Sequence, residues 1–176
     1  IAREVGDKRN EGIFFGNLGT VYQLQGQHDR AVEHSTQAID IAREIGNKRN
    51  EGTHLGNLGI IYQAQGQHDR AVEHLTQAID IAIEIGDKGN ESIHLGNLGD
   101  ILFQQNRIEE AENAFRKAIQ TGDKAFPAAA GAFRGSLALL LAQKGQLNET
   151  QELLKIGAAQ VDTYPSELAK LLGKKG

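Results

Sequence analysis

The 176-residue sequence contains no cysteine, methionine or tryptophan, and it has only two prolines. The absence of cysteine excludes disulfide bonds and thiolate zinc sites, and it leaves the cellular compartment open. No apolar run approaches the roughly eighteen residues that a membrane-spanning helix needs. Lysine and arginine total 19 against 23 acidic residues, so the basic surplus that favours phosphate backbones is missing. The composition is that of a globular chain, and we expect neither a nucleic acid nor a membrane as its partner.

Glycine, in contrast, is abundant, with 21 residues. The motif GNLG occurs at 16–19, 56–59 and 96–99, inside segments whose apolar spacing indicates a helix. A glycine within a helix costs about 0.5–1 kcal/mol relative to alanine. Such a cost, accepted twice in each copy, requires a reason in the fold.

The copies of this motif belong to a repeat of 40 residues. Residues 1–40 align with residues 41–80 without gaps and at about three-quarters identity. The third copy keeps the frame from Ile81 to Ile101, and a degenerate fourth copy is marked by GSLALLLAQKGQ at 135–146. Internal repetition at such a period is typical of solenoid proteins.

The sequence begins within a repeat, because IAREVGDK at 1–8 recurs as IAREIGNK at 41–48. We therefore expect a piece of a longer protein, in which a missing targeting signal means little, and we expect a cytoplasmic location. The predicted organisation is one solenoid over 1–176, comprising a remnant second helix at 1–6, repeats at 7–46, 47–86, 87–122 and 123–162, and a C-terminal capping segment at 163–176 with a short helix from Ser166.

Each repeat is predicted to form two helices. In the first helix, the apolar residues of one face recur in three copies, as Phe15, Leu18 and Tyr22, then Leu55, Leu58 and Tyr62, then Leu95, Leu98 and Leu102. In the second helix, one side is lined by Ala71, Leu75, Ala78, Ile79 and Ala82. Neither helix can bury its apolar face alone, so stacked repeats are expected to share a continuous core.

Turn and cap residues separate these helices. We expect a left-handed backbone at the end of the first helices, at Gly26, Gly66, Asn106 and Gly145. Gly46 and Gly86 are expected to end the second helices. Asp29 and Asp69 are predicted to cap the second helices, and Asn47 and Asp87 the first helices that follow. Pro127 is predicted to lie in the first turn of a helix capped by Asp123.

The residues Leu58-Gly59, Tyr62, Gly66, Ala71 and Ala78 resemble the signature of the tetratricopeptide repeat (TPR). The unit is similar to the long repeats of kinesin light chains, Pins-type spindle adaptors and bacterial tetratricopeptide arrays. The resemblance implies an all-α fold, namely a right-handed α-α superhelix (TPR solenoid) of about four helix-turn-helix repeats whose first helices line the inner side. It also implies a non-catalytic scaffold that binds a protein or peptide.

The two glycines of each motif have different predicted roles. Gly19, Gly59 and Gly99 lie beside the Leu/Tyr face, where they allow the two helices of a repeat to approach closely. The others fall on a different face, which the resemblance places inside the superhelix. There we expect Gly16, Gly56 and Gly96 to form the bare floor of a groove.

Asparagines follow these glycines and suggest what the groove binds. An asparagine side chain carries both a hydrogen-bond donor and an acceptor, so Asn17, Asn57 and Asn97 can hold a peptide backbone whatever its side chains. In the alternative interpretation, each asparagine bonds to a neighbouring helix and only orders the stack. For selectivity, the candidate residues are Thr20, Ile60, Asp100, Gln23, Gln63 and Gln104.

The sequence gives little support to a catalytic or a metal-binding function. The six histidines form no HExxH pair, and we expect them at the surface or between helices, with His54 and His94 between neighbouring first helices. No Gly-Lys-Ser/Thr follows GNLG, and no serine recurs beside a base. We therefore predict no enzyme, no metal and no cofactor. Two alternatives to a peptide-binding scaffold stay open, namely a sensor arm of a larger signalling protein and a module that forms homo-oligomers through its open solenoid ends.

Overall fold

The structure, a computed structural model, describes residues 2–162, and it describes the side chains of residues 6–161. This part of the chain forms only α-helices and turns, which confirms the all-α class. The predicted helix from Ser166 lies outside the described residues. The helices are α1 Ala2–Leu24, α2 His28–Glu44, α3 Lys48–Ala64, α4 His68–Glu84, α5 Lys88–Gln104, α6 Ile108–Ala125, α7 Pro127–Gln143 and α8 Leu147–Asp162.

Successive helices pack in antiparallel pairs. Gly12 of α1 faces Ile41 near the end of α2, whereas Gly19 of α1 faces Ala31 near its start. The backbones of the first helices of successive pairs, α1, α3, α5 and α7, also lie against each other, whereas between residues 2 and 162 no two second helices approach as closely. Side chains join the second helices α6 and α8, for example Arg116 and Glu149 at 2.9 Å. Because the first helices lie closer together, the array curves toward them, and they form its inner side.

The predicted turns are confirmed. The backbone φ is +67° to +75° at the five turn glycines and +59° at Asn106, a conformation that glycine and asparagine adopt most readily. The side chains of Asn47 and Asp87 accept hydrogen bonds from the backbone N–H groups of Asn50 and Asn90 at 3.1 and 3.2 Å. These two residues therefore cap α3 and α5 as predicted.

The caps predicted for α2 and α4 are wrong. Gln27 and Gln67 stand at the cap positions, without a side-chain cap bond. Asp29 and Asp69 lie inside the first turn instead, where their negative charge still favours the helix dipole. Asp29 accepts a hydrogen bond from Gln65 at 3.3 Å, and this bond links one repeat to the next.

Two helices pass the predicted repeat boundaries. Helix α1 continues through Gly6 back to Ala2, although the equivalent Gly46 and Gly86 form turns. Helix α6 continues past 122–123 to Ala125. Asp123 consequently does not cap α7, whose cap is Phe126 with Pro127 in the first turn. The Asp123 carboxylate instead accepts two hydrogen bonds, at 2.6 and 2.7 Å, from the buried Arg134 of α7, and this pair ties α6 to α7.

The predicted core is confirmed in the middle of the array. Leu55, Leu58 and Tyr62 are buried, as are the five apolar residues predicted on α4. The equivalent Phe15 and Leu18 of α1 are only half-buried. No helix within residues 2–162 combines the length and the hydropathy required to span a membrane.

Candidate functional site

One glycine of each GNLG motif brings the two helices of its own repeat together. A Cβ atom at Gly59 would lie 2.9 Å from Cγ of Leu75, and one at Gly99 would lie 2.7 Å from the Phe115 ring. At Gly19 the same atom would lie 2.5 Å from Oγ of Ser35. These distances are too short for a carbon atom, so the predicted packing role of Gly19, Gly59 and Gly99 is confirmed.

The other glycine is not the groove floor that the sequence suggested. Gly16, Gly56 and Gly96 are buried, and a Cβ atom at each would overlap an aromatic ring from the next first helix. The ring belongs to His54 over Gly16, His94 over Gly56 and Phe133 over Gly96. The bare surface that a glycine leaves is therefore filled by the following repeat. A detectable signal was the aromatic residue two positions before this glycine in every repeat, at Phe14, His54, His94 and Phe133.

The two buried histidines are confirmed between neighbouring first helices. Their exposed fractions are 9% for His54 and 5% for His94, and neither ring nitrogen of either residue has a hydrogen-bond partner within the described part of the chain. Burial lowers the pKa of His54, and it lowers the pKa of His94 to about 4 against the opposing charge of Asp87. Both rings are therefore neutral at pH 7.

The inner surface of the array consists of four residues from each first helix, which we call the inner strip. None of these sixteen positions is buried. They lie at helical spacings of four, three and four residues, which keeps them on one face of each helix. The inner strip comprises Ile13, Asn17, Thr20 and Leu24 of α1, Thr53, Asn57, Ile60 and Ala64 of α3, Ile93, Asn97, Asp100 and Gln104 of α5, and Ala132, Ser136, Leu139 and Gln143 of α7.

The three predicted asparagines are accessible. Asn17 is exposed, whereas Asn57 and Asn97 are half-buried. Among residues 6–161, none of the three side-chain amides takes part in a hydrogen bond. This arrangement disfavours the alternative in which the asparagines order the stack by bonding a neighbouring helix, and it leaves their donors and acceptors available to a ligand.

The predicted selectivity residues are distributed along the same side. Ile60 and Asp100 occupy equivalent places in the inner strip, one turn after Asn57 and Asn97, and both are half-buried. The Thr20 hydroxyl donates to the carbonyl oxygen of Gly16 at 3.2 Å. Gln63 lies at the edge of the strip and donates to the side chain of Gln104 at 3.2 Å, which bridges α3 and α5. The half-buried Gln23 is the counterpart of Gln63 in α1.

Asp100 differs from the rest of the inner strip because it is the one charged residue among the sixteen. Partial burial raises the pKa of this carboxyl group, and a hydrogen bond with Ser136 of α7 opposes that rise. No lysine, arginine or histidine among residues 6–161 forms an ion pair with it.

Several surface depressions lie away from the inner strip. One of about 470 Å³ is lined by the turn residues Gly26–Arg30, and another of about 400 Å³ by the equivalent Gly66–Arg70. Both are open and have the same polar lining in each repeat, so they follow from the turn and bring together no reactive set of side chains. In addition, no group of three metal-ligating side chains occurs in the described part of the chain.

Family models place the chain among known repeats. One model of the tetratricopeptide repeat matches residues 10–84 and 53–122, and a second matches residues 97–149. These matches span most of the chain and coincide with the helix pairs described above. No curated protein matches the sequence.

Solved structures show the same architecture. The chain is similar to aspartyl phosphate phosphatase F from Bacillus subtilis, with a TM-score of 0.82 and 17% identity over 93% of this chain and 42% of that one. It is similar to BtubC (BKLC) from P. vanneervenii, with a TM-score of 0.74 and 16% identity over 94% of this chain and 66% of that one. A putative kinesin light chain of P. anserina with nearly identical TPR-like repeats has a TM-score of 0.68 and 24% identity over 88% of this chain and 79% of that one. At these identities the likeness concerns the fold, and the chain spans less than two thirds of the first two proteins.

Proposed function

The chain belongs to the tetratricopeptide repeat family, and we propose that its inner strip binds an extended segment of a partner protein. The repeat is typically a non-catalytic interaction scaffold, and no catalytic family matches the sequence. In our proposal Asn17, Asn57 and Asn97 hold the backbone of the bound segment, while their neighbours on the strip contact its side chains.

The observation that carries the proposal is the row of three accessible asparagine amides without hydrogen-bond partners in the described chain. Packed helices lie about 8–10 Å apart, which is about the span of three residues of an extended chain at 3.3 Å each. The spacing of successive asparagines therefore agrees with the length of three residues of an extended peptide. Each amide can accept from a peptide N–H and donate to a peptide carbonyl.

Replacing the two central asparagines tests the proposal. The probe is a peptide selected on the wild-type chain from a phage-displayed library of random twelve-residue sequences. We expect Asn57→Ala/Asn97→Ala to bind this peptide about 30-fold more weakly or worse, since the four lost net hydrogen bonds contribute about 0.5–1.5 kcal/mol each. Fluorescence anisotropy measures the affinity.

The matched control for this experiment is Asn113→Ala, which removes an exposed amide from the second helix α6. It should leave affinity unchanged. Urea unfolding of all variants separates binding from folding. If the double variant keeps its affinity but unfolds at a lower urea concentration, the asparagines serve the stack and the proposal is wrong.

A second candidate, self-association, is favoured by the face of α1 that points away from α3. Phe14 and Val21 are 59% and 46% exposed, whereas the equivalent His54 and Ile61 are buried against the preceding repeat. We propose that this face, which a preceding repeat would also cover, packs against a second copy of the chain. Sedimentation equilibrium should then show association that Phe14→Ser/Val21→Ser abolishes and Leu24→Ser, on the inner strip, does not. A wild-type chain that is monomeric at every concentration contradicts this candidate.

A further inference from the structure

We infer that Asp100 selects a partner segment with a lysine or arginine at one position and thereby sets the register in which that segment lies. This inference rests on the proposed function, because it assigns a side-chain preference to the same surface. It identifies the chemistry of the ligand as a basic peptide segment rather than an acidic or wholly apolar one.

The distribution of residues along the inner strip separates two tasks. Asparagine occurs at the same place in α1, α3 and α5. The three residues can make identical contacts only with a part of the ligand that also repeats, and that part is its backbone. Shifting the peptide by one repeat would restore the same contacts. A carboxylate that occurs once removes this ambiguity, because a single register brings a basic side chain against it.

The electrostatic surroundings of Asp100 favour a cation from outside the chain. The fifteen other residues of the strip are neutral. Arg107 is the cationic residue nearest to Asp100 in the sequence, and its guanidinium group pairs with Glu110. A carboxylate has about four acceptor sites, so the hydrogen bond with Ser136 leaves room for an ammonium or guanidinium group. Partial removal from water strengthens that attraction.

The neighbours of Asp100 favour a long basic side chain. The equivalent positions on the adjacent first helices are Ile60, half-buried, and Leu139, which is 58% exposed. Lysine and arginine pack their aliphatic stems on apolar surface while the charged end reaches a polar partner. The side chains of Ile60 and Leu139 offer such a surface on either side of the carboxylate.

Selection from the random twelve-residue phage library tests this inference with Asp100→Asn and Asp100→Lys beside the wild type. We expect peptides selected on the wild type to share one lysine or arginine and to bind Asp100→Asn about tenfold more weakly, as for the loss of a charge-assisted bond. Peptides selected on Asp100→Lys should carry aspartate or glutamate at that position. Asp80→Asn, an exposed residue of α4, is the control and should retain the wild-type preference.

The outcomes distinguish this inference from the proposed function. Peptides that bind the strip without a shared basic residue, or that bind Asp100→Asn as tightly as the wild type, overturn the role of Asp100 and leave the binding surface intact. A library that yields no peptide on the wild type overturns both. If Asp100→Lys does not fold, the affinity of Asp100→Asn still tests the inference, since this variant keeps the size of the side chain and loses only the charge.

Discussion

Lowering the pH from 7.5 to 5 will destabilise the array, and replacing His54 and His94 by phenylalanine will remove most of this pH dependence. In the folded chain burial lowers the pKa of His94 to about 4, from 6.5, and it lowers that of His54 as well. At pH values between the folded and the unfolded pKa, the unfolded chain binds a proton that the folded chain does not. Stability therefore falls as the pH falls below 6.5.

The expected effect is large. Within that pH window, each pH unit changes the free energy of unfolding by about 1.4 kcal/mol for one fully shifted group. His94 therefore lowers the free energy of unfolding by about 2 kcal/mol at pH 5. The carboxyl groups of Glu51, Glu112 and Asp123, whose pKa values are lowered by their cationic partners, lose their contribution only below about pH 4.5. Work above pH 5 consequently separates the histidines from these three carboxyl groups, and the carboxyl group of Asp100, whose pKa is raised by burial, changes stability in the opposite direction.

Phenylalanine is the natural replacement because Phe133 already occupies the equivalent place over Gly96. It also removes ring nitrogens that are buried without a partner in the described chain, a cost of about 1–3 kcal/mol for each such group. The double variant should therefore be more stable than the wild type at pH 7.5. Urea unfolding at several pH values measures both effects.

The control for the pH experiment is His74→Phe, on the outer face of α4, where the histidine ring bonds to the carbonyl of Arg70 at 2.8 Å. This variant should keep the wild-type pH dependence. Equal dependence in the wild type and in the His54→Phe/His94→Phe variant would show that other groups are responsible.

Gly56→Ala will destabilise the chain, whereas the same substitution at the equivalent Gly135 will stabilise it. A Cβ atom at Gly56 overlaps the buried His94 ring, while no described atom lies within 4 Å of one at Gly135. Overpacking of this kind typically costs about 1–3 kcal/mol. At the open position, alanine gains about 0.8–1 kcal/mol over glycine from helix propensity. Urea unfolding of the two variants measures the change in the free energy of unfolding, which should be opposite in sign.

A double-mutant cycle identifies the cause. His94→Ala removes the ring, so Gly56→Ala in that background should lose its penalty and show the propensity gain seen at Gly135. If Gly56→Ala is stabilising by itself, the ring moves aside without cost, and the contact does not explain the glycine.

Much of the architecture was readable from the sequence because the signals were local and repeated. The spacing of Leu55, Leu58 and Tyr62 predicts a helix face, and Gly66 predicts its end through a backbone angle that few other residues adopt. The caps at Asn47 and Asp87 were equally local. The polar stripe containing Asn57 and Asn97 lies on an accessible face, because the 3.6-residue period separates it from the core.

What the sequence by itself determined is thus the content of one repeat, namely two helices, their buried faces and the turns between them. Only the tertiary structure decided what lies between repeats: the His94 ring over Gly56, the Arg134 bond to Asp123, and Asp100 as an isolated charge on the inner strip. The first two of these contacts join residues that are 38 and 11 positions apart in the sequence. Helical periodicity identifies the face on which a residue lies, but which side chain meets it depends on how the neighbouring helix docks.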